Sequence, residues 1–190
     1  MGKKSQFWSW FAAHAAEAAR IRTGEEPIAG EIARRLNAVE NGLTWQIGVS
    51  EDGPHEFIIS ADGNKRLFPA VKALAAAAPP IPGWTIIAFR PRVGPVPAIV
   101  MNGQQFEAKD FRFKARLDDR LVHLDIYMRG YNEAKSEAFD TAAFIFLDSL
   151  LGEHDVETYI GGIGFHPLKN EFQCPTIEEI AGAVDRLIGR

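Results

Sequence analysis

Between Phe111 and Arg129 the chain alternates apolar and polar residues through two successive runs, broken only at Asp118-Asp119. In Phe111-Arg112-Phe113-Lys114-Ala115-Arg116-Leu117 the apolar residues take one face, and Arg112, Lys114 and Arg116 take the other. In Leu121 to Arg129, Val122, Leu124, Ile126 and Met128 share one face, leaving His123, Asp125, Tyr127 and Arg129 on the other. A period of two is the signature of a half-buried strand. Two such runs around a short turn predict an antiparallel pair with one wet face. The apolar face needs a cover, so this stretch already excludes an all-helical fold and demands helices or a second sheet.

The rest of the sequence supplies helices. Gln6 to Arg20 is rich in Ala, the best helix former, and Ser5 suits its N-cap. Phe7, Phe11, His14 and Ala18 form one helical stripe, so a helix is predicted over 5–22, ended by Thr23-Gly24. Pro27 suits the first turn of a second helix carrying Ile28, Ile32, Leu36 and Val39, closed by Asn41-Gly42. The pair reads as a helical hairpin. Two strands follow, around Trp45-Ile47-Val49 and Phe57-Ile59, with a turn at Asp52-Gly53-Pro54. A helix over 68–78 and a strand over 84–89 come next, Ile86-Ile87 suggesting burial on both faces. Asn102-Gly103 predicts a hairpin between 99–101 and 104–106. Then come a helix over 134–151 ended by Gly152, a strand over 156–165, and a last helix opened by a capping box at Thr176 and Glu179.

The order predicts an α+β fold: a largely antiparallel sheet with helices on one face, an N-terminal helical hairpin and two βαβ-containing halves. At 190 residues, 46% of them hydrophobic, one α+β domain over 1–190 is expected. A finer division has sub-halves 1–92 and 97–190 joined by the Pro-rich connection of Pro91, Pro95 and Pro97. A chain of this length buries roughly 70% of its unfolded surface and needs no metal or disulfide to fold.

Composition narrows the function classes. Net charge is −4, and residues 132–190 hold four Lys or Arg against eleven Asp or Glu. Non-specific nucleic-acid binding depends on many cations, so nucleic acid is disfavoured as a partner. No run approaches 18 apolar residues, so no membrane span is expected. The lysines of Met1-Gly2-Lys3-Lys4 are not followed by a clean apolar core. That and the single Cys174 point to a reducing cytoplasm.

The polar face of the 111–129 strands carries the functional expectation. Arg112, Lys114, Arg116, His123, Asp125, Tyr127 and Arg129 would form a platform for an anionic small molecule or an acidic protein partner, with Arg90 and Arg92 at its edge. The plainer alternative is a solvated face with cross-strand charge pairs. RNA would want several stacking aromatics, and Tyr127 is nearly alone. A second cluster, Asp148, Glu153 and His154 with Asp155, has acids beside a His, but neighbouring side chains diverge and no His pair has metal-ligand spacing. No metal or cofactor is expected. There is no Gly-x-Ser-x-Gly elbow, Gly161-Gly162-Ile163-Gly164 is too short for a dinucleotide fingerprint, and Cys174 has no base nearby in sequence. The expectation is therefore a non-catalytic binding or regulatory protein. The alternative is a small hydrolase assembled from distant segments, with His123 or His154 as base and Asp125, Asp148 or Glu153 as supporting carboxylate. A third is an oligomeric structural protein.

Four segments taken together resemble an uncharacterised bacterial protein family, a domain of unknown function. They are Phe7-Trp8-Ser9-Trp10-Phe11, the strand and turn from Ile58 to Asn64, the segment from Ala78-Pro79 to Gly83-Trp84-Thr85-Ile86-Ile87-Ala88-Phe89-Arg90-Pro91, and Leu147-Asp148-Ser149-Leu150-Leu151-Gly152-Glu153. The resemblance covers most of the chain and implies no activity, cofactor or catalytic residue. Size, acidity and the missing catalytic signature are also similar to those of small bacterial immunity or regulatory proteins.

Overall fold

In the computed structural model, which describes residues 2–49, 53–101, 103–132, 134, 136–169 and 173–190, the period change near residue 44 is the change from helix to strand. The chain divides into two compact units, Met1–Arg90 and Pro91–Arg190. The fold is α+β, with six α-helices and eight strands among the described residues.

The first unit contains α1 (Lys3–Ala18), α2 (Pro27–Val39), β1 (Thr44–Val49), β2 (His55–Ser60), α3 (Phe68–Ala75) and β3 (Trp84–Ala88). Its sheet has the order β1-β2-β3, with β1 antiparallel and β3 parallel to β2. Phe7, Trp8, Phe11, Ile32, Leu36, Phe57, Ile59, Val71 and Leu74 make one core, so all three helices cover the same sheet face. Trp8 satisfies its indole N–H on the Leu74 carbonyl at 2.9 Å. The aromatic cluster of α1 is thus core. Trp10, at its margin, stacks on His14 and lies under the Arg35 guanidinium.

Both ends of α1 and the burial of β3 differ from expectation. α1 starts at Lys3 rather than Ser5, with Gly2 in the cap position, and it stops at Ala18 rather than 22. The chain leaves the helix because Glu26 gathers the next amides: its carboxylate accepts from the N–H of Arg22 (2.7 Å), Thr23 (3.2 Å) and Gly24 (2.9 Å). Those backbone bonds, that of Arg22 first, hold the Glu26 carboxyl down to about 2. Ile86 and Ile87 are each only half-buried, because β3 is an edge strand. The Asp52 turn lies outside the described residues. Next to the unit's last residue, Phe89 is a buried ring at φ +69° packed on Phe68, and the Phe89 N–H donates to the Ile59 carbonyl at 2.7 Å. A bulky residue there carries strain of about 1–3 kcal/mol.

The second unit contains β4 (Ala98–Met101), β5 (Gln104–Glu107), β6 (Phe111–Asp118), β7 (Leu121–Met128), α4 (Ser136–Leu151), α5 (Glu153–Tyr159), β8 (Ile160–Pro167) and α6 (Ile180–Ile188). β4 and β5 form the hairpin read from the sequence; Gly103 has φ +76°, and Asn102 lies outside the described residues. The main sheet has the order β6-β7-β8, with β6 antiparallel and β8 parallel to β7. Val122, Leu124, Ile126 and Met128 are fully buried, with Phe111 and Phe113, under α4 and α6. The capping box at Thr176 and Glu179 is present and opens one 3₁₀ turn before α6.

The strand expected from Val156 begins only at Ile160. Gly152, at φ +75°, breaks α4, and the chain re-enters a short helix with Glu153 and Asp155 in its first turn. Acids there complement the exposed amides of a helix start. Residues 153–159 are therefore helical, and the first four residues of the expected strand belong to this helix.

Candidate functional site

The register places the polar side chains of β6, β7 and β8 in three rows on one sheet face. Arg112 lies opposite Tyr127, which lies opposite His166. Lys114, Asp125 and Gly164 form the next row, then Arg116, His123 and Gly162. The residues from the first two strands are thus brought together. Arg129 sits at the margin, ion-paired with Asp110 at 3.0 Å.

His166 was absent from the sequence-derived set. Its Nε2 lies 2.7 Å from Asp125 Oδ1, and its ring stacks on Tyr127 with centroids 5.0 Å apart. The Lys114 ammonium lies 5.7 Å from the centre of the same tyrosine ring, a cation–π arrangement. Arg116 pairs with Asp118 at 3.2 Å, with both side chains largely exposed, so that pair contributes little.

The glycines of β8 make room for this layer. A Cβ on Gly164 would stand 2.8 Å from Asp125 Oδ1 and 2.9 Å from His166 Nε2, and one on Gly162 would stand 3.1 Å from His123 Nδ1. The rings and the carboxylate therefore lie across a strip with no side chains of its own. The signal was present in sequence: Gly162, Gly164 and His166 recur at a period of two. Only the parallel pairing of β8 with β7 gives that period a meaning.

A groove of about 900 Å³ is lined by residues of both faces of this sheet, Phe113, Ala115, Leu124 and Ile163 of the apolar face among them. Lys114, Arg116, His123, Asp125, Gly162 and Gly164 line it, and it continues past the β6 edge to Cys174, Pro175, Ala183, Arg186 and Leu187. The volume is in the usual range for a ligand site, about 300–1,000 Å³. His123 and Asp125 sit two residues apart on one face, but the carboxylate is joined to His166 rather than to His123.

The other candidates lie elsewhere. Asp148 is on α4, while Glu153 and His154 belong to the first turn of α5, with Glu153 buried. His154 Nδ1 is 3.2 Å from Asp155 Oδ1. Arg92 does not edge the polar face: its guanidinium holds Asp155 at 2.7 Å and both oxygens of Asp185 at 2.8 Å, and it donates to the Leu151 carbonyl at 3.1 Å. Arg190 joins at Asp155 Oδ2, 2.8 Å away, and rests over the Tyr159 ring. Burial pushes the Asp155 carboxyl up, but the bonds from His154, Arg92 and Arg190 outweigh it and leave it below its ordinary value. Asp185 is lowered by the Arg92 bond. This cluster staples the start of the second unit to α4, α5 and α6. Arg90 belongs to the first unit and pairs with Asp62 at 2.6 Å.

Among the described residues, no three His, Cys, Asp or Glu side chains converge as a metal site requires, and no helix is long and apolar enough to cross a membrane. No protein-family model, curated protein or solved structure matches the chain.

Proposed function

We propose that this chain is a bacterial cytoplasmic binding or regulatory protein, without catalysis of its own, that engages an anionic ligand or an acidic protein partner through the polar face of β6, β7 and β8. Membership of the uncharacterised bacterial family it resembles is part of that proposal. The observation that carries it is the layer of Lys114, Arg116, His123 and Asp125 along one groove, with His166 bonded to Asp125 beside it. Three cations in one column of β6 give the surface a sign that the acidic remainder of the chain lacks.

The test is affinity capture from native lysate with wild type beside a variant carrying Arg112→Glu, Lys114→Glu and Arg116→Glu. All three lie on the wet face of β6, so the thermal midpoint should hardly move. Capture of the partner should fall at least about tenfold, and binding by wild type should weaken with salt. Equal capture by both proteins would falsify the assignment.

One observation favours a second reading. His166 and Asp125, at 2.7 Å, form the histidine–carboxylate pair that a general base requires, and Asp125 is at the wall of a groove. A hydrolase would then use His166, not His123 or His154, as base. Chromogenic ester and phosphate substrates would be turned over by wild type and not by His166→Asn; no turnover by either sinks this reading.

A further inference from the structure

β6 is an edge strand, and its free edge is only partly used. Arg112 forms a single antiparallel bridge with Thr176, and the Phe113 N–H donates to the Pro175 carbonyl at 3.2 Å. Phe113 therefore points its backbone groups away from β7. In an antiparallel strand that direction alternates, so Ala115 and Leu117 point the same way. The β6–β7 register agrees: Asp118 and Leu121 flank a two-residue turn, which makes them a hydrogen-bonded pair and assigns the even-numbered residues of β6 to β7. Among the described residues, the outward N–H and C=O groups of Ala115 and Leu117 have no partner. The groove runs along this edge.

We propose that β6 takes an extended acidic peptide by strand addition, continuing the bridge that Thr176 begins. This rests on the reading of the polar face as a binding surface and names its partner and mode. The open edge from Lys114 to Asp118 gives about 16 Å of strand, enough for two hydrogen-bonded pairs. Side chains of an added strand alternate as those of β6 do. Those on the polar side meet Lys114 and Arg116, and the one opposite Ala115 meets the Ala183 and Leu187 side of the groove. The preferred occupant therefore reads acid, small apolar, acid. Arg186 adds a third cation on the α6 side. The acids in the groove are already engaged, Asp125 by His166 and Glu179 by the Thr176 backbone N–H. A second copy of this chain is the wrong occupant. Edge-to-edge pairing of β6 would bring Lys114 and Arg116 against their own duplicates, and like charges in cross-strand register repel.

The probe is an acetylated, fluorescein-labelled five-residue peptide alternating glutamate and valine, followed by anisotropy and by amide hydrogen exchange of the full chain. The expected result is saturable binding, with the Ala115 and Leu117 amides slowed at least tenfold. A lysine–valine peptide should bind at least tenfold more weakly, as should the first peptide to Lys114→Glu with Arg116→Glu. Ala115→Pro removes one outward N–H, a change an edge strand tolerates, and should abolish peptide binding. Should that variant not fold, a peptide N-methylated on its central valine replaces it and should bind at least tenfold more weakly to wild type. Binding that ignores N-methylation and leaves both amides unprotected overturns strand addition while the basic-face reading stands. No binding of the peptide also overturns it, and the basic-face reading is then decided by partner capture alone. Protection of Ala115 and Leu117 that grows with protein concentration, without peptide, overturns it in favour of self-pairing.

Discussion

The two sheets share one topology and differ in chemistry. In each, an antiparallel hairpin is followed by a helical crossover and a third strand parallel to the middle one, in the order 1-2-3. The middle strands separate them. In β2, Phe57, Ile58, Ile59 and Ser60 are all buried, so residues on both faces leave solvent. In β7, buried and part-exposed residues alternate without a break. The second face of the first sheet carries the rows Gln46–Ile58–Ile87 and Gly48–Glu56–Thr85, with one acid and no cation. The same face of the second carries Arg112, Lys114, Arg116, His123 and His166. Both frames hold an acid over a glycine, Glu56 over Gly48 and Asp125 over Gly164. That feature therefore belongs to the frame. What the second unit adds is the column of cations and the two imidazoles, and the functional reading rests on the addition.

The largest test of this division is in the core of the first unit. Trp8 is 1% exposed and hydrogen-bonded to Leu74. Trp8→Ala should cost about 3–5 kcal/mol. Separate cores predict that the loss is confined: amides of α1, β2 and α3 should exchange faster while those of β7 keep their protection, and acidic-peptide binding should survive. Parallel loss of protection in β7 would show that the two units fold as one cooperative body and would break the comparison.

In the second unit the corresponding stress falls on Arg92. Arg92→Ala leaves Asp155 and Asp185 without their shared donor and should cost about 1–3 kcal/mol at neutral pH. Both carboxyls lie below their ordinary value of 3.8 in the fold. A depressed carboxyl stabilises the fold above its unfolded value, and the contribution fades as pH falls through the folded one. Wild type should thus lose stability below about pH 4, and the variant should lose less of it there. Urea midpoints at neutral and acid pH decide this. A variant with an unchanged acid slope would mean that Arg92 does not set these two carboxyls.

These two residues also mark what was legible in the sequence. Trp8 and Phe11 sit in an apolar helical stripe, and β7 in a strict alternation; each is a local pattern that the fold obeys. Arg92 meets Asp155 and Asp185 across 63 and 93 residues, and nothing local announces such a pairing. α5 was missed because residues 156–159 read as the start of a strand, and nothing local announces that Arg92 and Arg190 meet Asp155. Half of the polar face was readable, because β6 and β7 are neighbours in sequence. His166 was not, because a parallel third strand returns through two helices and sequence does not fix which edge it joins. Gly162 and Gly164, part of a run too short for a dinucleotide fingerprint, instead leave room beneath the polar layer.

The finest test exchanges a hydrogen for a methyl group in each frame. Gly164→Ala puts a carbon 2.8 Å from Asp125 Oδ1 and 2.9 Å from His166 Nε2. Both contacts are ends of part-exposed side chains, so they swing aside and the fold loses about 1 kcal/mol or less. The His166–Asp125 contact should go with them, read as a change in the imidazole proton and nitrogen resonances. Acidic-peptide affinity should fall about three- to tenfold, the scale of roughly 1 kcal/mol. Gly48→Ala makes the matching clash with Glu56 Oε2 at 2.7 Å and should leave affinity unchanged. The pair separates two explanations of the basic face. If Gly164→Ala displaces His166 and binding persists, the cations of β6 carry recognition alone and the imidazole layer is only their neighbour. If binding falls with the contact, His166 and Asp125 help to set the surface the partner meets, and the glycine strip is part of the site.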